Sequence, residues 1–83
     1  MFQGKKVEVV LNTPILIHVP EGDSGKSRTE AVVKIHAQVA AASEAGFQLE
    51  LGELFNEKQQ KVPAPHRAIF LPLHKVDHVF PMA

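Results

Sequence analysis

Apolar and polar residues alternate along most of this chain, and the alternation predicts strands. Val7-Glu-Val-Val-Leu11 is rich in β-branched residues and reads as a strand. Asn12-Thr13-Pro14 interrupts it, because proline cannot donate to a central ladder. Ile15-Leu-Ile-His-Val19 then forms a second strand, or continues the first beyond a bend. Pro20-Glu-Gly-Asp-Ser-Gly25 has turn composition. Phe47, Leu49 and Leu51 alternate again, and Gly52 to Lys58 reads as a short helical turn with Leu54 and Phe55 facing inward. Gln59 to His66 holds two prolines and reads as a loop. Ala68 to Leu73 and Val76 to Phe80 read as the final strands, with Pro72 placing the former at an edge or a bulge.

The stretch from Thr29 to Ala45 supports two readings. As a helix it has a capping box in Ser27-Arg-Thr-Glu30, abundant alanine, a stripe of Val32, Ile35, Val39 and Ala42, and Gly46 just past its end. As a strand it has Val33, Ile35, Ala37, Val39 and Ala41 alternating with Lys34, His36, Gln38 and Ala40.

Three segments bear on that choice: Lys6-Val-Glu-Val-Val-Leu11, Leu51-Gly-Glu-Leu-Phe-Asn56 and Phe70-Leu-Pro-Leu-His-Lys-Val76. Together they resemble a family of small bacterial proteins of unknown function whose fold is a small β-barrel of the Sm/SH3 kind. In that family an extended hairpin precedes a short turn, and a strand with the pattern phenylalanine-leucine-proline-leucine ends the domain. The resemblance implies that Val33 to Ala41 is a strand; it implies no activity. The insertions around Asp23–Arg28 and Gln59–Pro65 depart from the pattern. The expected fold is therefore mainly β: a small antiparallel barrel or strongly bent sheet with one short helix near 52–58. The alternative is an α+β fold with a helix at about 29–45 packed on an antiparallel sheet.

Composition narrows the function classes. The chain has 83 residues, so a single domain over 1–83 is expected. Apolar content of 45% and charged content of 22% suit a globular chain, not a disordered one. Nine basic residues balance nine acidic ones, which removes the phosphate-neutralising drive of a nucleic-acid binder and also the self-repulsion that keeps copies apart. There is no cysteine, so disulfides and thiolate metal sites are excluded. No apolar stretch approaches the ~20 residues of a membrane-spanning helix, and the start lacks a signal-peptide core. The expected location is cytoplasmic, with no membrane partner.

Two patterns carry candidate chemistry. Gly25-Lys26-Ser27 follows an apolar run and a Gly-containing turn, as in a phosphate-binding loop G-x-x-x-x-G-K-[ST]. Pro20 stands where the first glycine belongs, and it has no N–H to offer a phosphate. The plainer reading is a flexible loop between strands. The second pattern is histidine: His74 and His78, four apart, share one face of a helix or of a strand, and His36 or His18 would supply a third imidazole for zinc. No cysteine or His-adjacent glutamate supports that motif, and the plainer reading is ordinary half-exposed histidines. No catalytic residue, cofactor or metal is expected, and Phe70 and Phe80 read as core residues, not as platforms for base stacking. With apolar residues on both strand faces in Val9-Val10-Leu11 and Ile15-Leu-Ile17, the expectation is a non-enzymatic, self-associating binding or scaffolding module. A histidine-based metal module and an Sm-like binder of single-stranded RNA are the alternatives, and nucleotide binding through residues 20–27 stands last.

Overall fold

In the computed structural model, which describes residues 3–22, 25–64 and 66–82, the chain is a six-stranded antiparallel sheet curled into a half-barrel. The strands are β1 (Lys6–Glu21), β2 (Lys26–Ala42), β3 (Gly46–Asn56), β4 (Lys61–Val62), β5 (Ala68–Pro72) and β6 (Val76–Pro81). A single 3₁₀ turn, Leu73–Lys75, separates the last two. The order across the sheet is β4-β3-β2-β1-β6, and β5 also pairs with β3. The Ala-rich middle is strand, as the alternation and the resemblance both imply, and the alternative helix at 29–45 is displaced by β2. No helix among the described residues is long and apolar enough to cross a membrane.

Alternation builds the core directly. Val7, Val9 and Leu11 of β1, Ile35, Ala37 and Val39 of β2, and Leu49 and Leu54 of β3 are buried, while Glu8, His36 and Glu53 lie on the outer face. Register locks these sets together, with Val9 opposite Ile35 and Ile35 opposite Leu54. A slip of one residue would exchange the two faces.

Irregularities bend the sheet. Gly52 is the extra residue of a bulge in β3, since His36 pairs with Glu53 but Ala37 pairs with Leu51. The bulge lets Leu49, Leu51 and Leu54 all point inward while Glu53 and Phe55 turn outward. This corrects the helix expected near 52–58: the segment continues β3 to Asn56 and then turns, with Gln59 at φ 64°. It also corrects Phe55, which packs outside against His36 and Lys34 instead of facing the core. On β2 the inward set shifts at Val33, so that Val32 is fully buried, Val33 only half-buried and Ala41 exposed.

The Asn12-Thr13-Pro14 interruption is a bulge within one continuous strand. Val10 pairs with Lys34 and Ile15 with Val32, so four residues of β1 stand against one of β2. Asn12 Nδ2 donates to the main-chain oxygen of His74 at 2.6 Å, which fixes the bulge against the 3₁₀ turn. That turn is held at its other side by the Leu73 N–H donating to Ala45 O at 2.9 Å. Pro72 ends β5 at a sheet edge, as its missing N–H requires.

Candidate functional site

The half-barrel does not close, and the open seam is its most distinctive surface. β6 pairs with β1 only over Val7–Leu11, and β5 pairs only with β3. Beyond Leu11, no strand among the described residues pairs with the outer edge of β1. An apolar groove of about 290 Å³ lies in this gap. Ile15–His18 of β1 form one wall, Ile69 and His66 the other, and the core residues Val32, Ile35, Leu51 and Leu54 form the floor.

The wall from β1 has unusual chemistry for a strand edge. Edges are normally blunted by charge, by proline or by a cover, because their free N–H and C=O groups template pairing. Ile15-Leu-Ile-His-Val19 carries no Lys, Arg, Asp or Glu. Proline occurs only at its two ends, Pro14 and Pro20. Ile15, Ile17 and Val19 turn toward the core, whereas Leu16 is 68% exposed on the other face. His18 Nδ1 lies 3.3 Å from Thr29 Oγ1 on the neighbouring strand.

The outer face carries a second arrangement, a lattice of charged and aromatic side chains in transverse rows. Cross-strand register aligns Phe80, Glu8, His36 and Glu53 over β6, β1, β2 and β3. His36 Nε2 sits 2.9 Å from Glu8 Oε1, and its Nδ1 sits 3.6 Å from Glu53 Oε1. Lys61 of β4 reaches Glu53 at 2.6 Å, and Lys34 lies 4.8 Å above the Phe55 ring. The Lys61 ammonium, by hydrogen bond and by charge, holds the Glu53 carboxyl below the usual glutamate range, and Glu53 in turn raises Lys61. Between this row and a parallel one of Lys6, Gln38 and Glu50, the missing side chain of Gly52 leaves a hollow of about 350 Å³. Lys6, His36, Gln38, Glu50 and Glu53 supply the polar lining of the hollow. The lattice ties four strands together, and solvent screening keeps each exposed pair weak.

Of the residues singled out from sequence, His36 lies in the outer-face row and His18 on the seam wall, and the others fall elsewhere. Gly25, with φ 73°, Lys26 and Ser27 lie at the β1–β2 hairpin tip, where Lys26 pairs with Glu21 and Ser27 with Pro20. Asp23 and Ser24 of that turn lie outside the described residues. Lys26 and Ser27 already belong to β2, so no helix N-terminus stands where a phosphate loop would have one. His74 is in the 3₁₀ turn, His78 is on β6 beside Asp77, and His36 is on β2 between its two glutamates. His74 and His78 therefore do not share a strand face. Among the described residues no three His, Asp or Glu side chains form a group that could hold a metal, the two glutamates beside His36 lying against opposite ring nitrogens. Phe70 and Phe80, expected in the core, are 54% and 47% exposed.

No known family, curated protein or solved structure matches this chain. Sequence reading found the seam wall as an apolar run with residues on both faces. It missed the Glu8–His36–Glu53 row, because those residues are 28 and 17 positions from one another in the chain and only strand register unites them.

Proposed function

We propose that this chain is a non-enzymatic binding module that associates with a second copy of itself through the open seam. The observation that carries the reading is the uncapped, uncharged edge of Ile15–Val19 beside an apolar groove, with Leu16 projecting into solvent at 68% exposure. An edge of this kind is a template for another strand. The zero net charge leaves no long-range repulsion between copies.

Leu16→Lys tests the proposal. Leu16 is exposed, so the substitution leaves the core intact, yet it places an ammonium on the edge of each copy. In sedimentation over a wide concentration range, the wild-type chain is expected to form a dimer and Leu16→Lys to stay monomeric, with the same circular dichroism and melting temperature. A wild-type chain that remains monomeric at its highest soluble concentration would overturn the reading.

A further inference from the structure

We infer that the two copies meet β1 against β1, antiparallel, about a two-fold axis at Ile17, with Leu16 opposite His18 of the second copy. This rests on the self-association proposed above and adds its register.

Three observations converge on that axis. The first is which main-chain groups face outward. Side-chain face and hydrogen-bonding edge alternate together along a strand. Lys6, whose side chain points away from the core, accepts from the Met82 N–H at 2.9 Å on the outer edge of β1. Leu16 and His18 have the same outward side-chain orientation, so their N–H and C=O groups face that edge too. Beyond Leu11 this edge has no partner strand among the described residues. The second is the position of the prolines. Pro14 and Pro20 stand three residues to either side of Ile17. In the proposed pair they face each other, where neither has an N–H to give, and they end the ladder on both sides. What remains between them is a closed set: Leu16 N–H to His18 C=O, His18 N–H to Leu16 C=O, and the same two bonds repeated by symmetry. The third is side-chain fit. The axis sets Ile17 against Ile17 and Ile15 against Val19 on the inward side, which extends the apolar groove from one copy to the other. No like charges oppose each other, because the window contains none.

An isologous contact of this kind closes on itself, so it gives a dimer and not a fibre. It also explains why the edge can be left without charge: the second copy is its cover.

Cysteine pairing reads the register directly, because the chain has no cysteine of its own. Across a non-hydrogen-bonded antiparallel pair the Cα atoms lie about 4.5 Å apart, within disulfide range. Ile17→Cys is therefore expected to form a covalent dimer under mild oxidation. Thr13→Cys is expected not to, since the axis would hold the two copies of residue 13 about 27 Å apart. A mixture of Leu16→Cys and His18→Cys chains is expected to form the mixed dimer in preference to either homodimer. Both of these positions are exposed, so this arm stands even where Ile17→Cys disturbs folding. Crosslinking at Thr13, or no preference for the mixed pair in a chain that still sediments as a dimer, overturns the register while leaving self-association standing. A monomer in sedimentation overturns both.

Discussion

Gly46→Ala is expected to destabilise the chain by about 3 kcal/mol or more. Gly46 opens β3 at φ 155°, a conformation that L side chains rarely adopt, and it pairs with Pro72 of β5. A Cβ there would lie 2.2 Å from the Leu71 carbonyl oxygen and 2.9 Å from Pro72 Cα. These are main-chain atoms of the neighbouring strand, so no rotamer change relieves the clash. Either β5 moves off β3, or β3 shifts and loses register at Leu49. Leu71 and Leu49 are both fully buried, so either movement opens the core. Strain and lost packing together are worth about 3 kcal/mol or more, which in a domain of this size lowers the melting temperature by roughly 12–25 °C. Gly25→Ala is the control. Gly25 has φ 73° but nothing within 4 Å of an added Cβ, so only the cost of a left-handed backbone, roughly 1–2 kcal/mol, applies. Thermal melts of the two variants separate the close approach from the conformational cost. Equal losses in both would contradict the packing argument.

The second large effect is expected at Ile35. It is 1% exposed and sits at the centre of the sheet, opposite Val9 on β1 and Leu54 on β3. Ile35→Ala removes three carbons from a position where strands on both sides are pinned by their own ladders, so the site cannot collapse to refill the space. Substitutions of this type cost about 2–5 kcal/mol. An 83-residue chain buries a modest fraction of its surface, and a loss of that size takes most of its stability. Urea unfolding should show a lower midpoint with an unchanged slope. A cost under about 1 kcal/mol would mean that β1, β2 and β3 do not share one packed interior at this point.

Much of the fold was legible in the sequence, and the failures have one physical origin. The alternation of Lys34, His36 and Gln38 with Ile35, Ala37 and Val39 fixes β2, and alanine's helix propensity does not override it, because only the pleated form buries Ile35 and Val39 together. The segment after Leu51 reads as helical because the Gly52 bulge changes the inward spacing from two to three. Leu51, Leu54 and Phe55 then mimic a helical repeat, although the backbone is extended throughout. A bulge is set by pairing with a neighbour, which a single strand's sequence does not contain. Phe70 and Phe80 look like core by residue type, but they fall on outward positions of edge strands. The candidate site divides in the same way. The apolar character of Ile15–Ile17 is local and could be read directly, whereas its status as an open edge depends on β6 ending its pairing at Leu11. The four-residue spacing of His74 and His78 does not put them on one face, because His74 lies in the 3₁₀ turn, one element before His78.

Amide hydrogen exchange at Leu16 and His18, followed as protein concentration is raised, tests the open edge most directly. The account predicts fast exchange at both amides in dilute protein, when nothing covers that side of β1, and protection of the same two amides in concentrated protein as the second copy pairs with them. Protection at both sites that is already complete in dilute protein would contradict an open edge, and fast exchange at both that persists in a sedimenting dimer would place the contact between copies elsewhere.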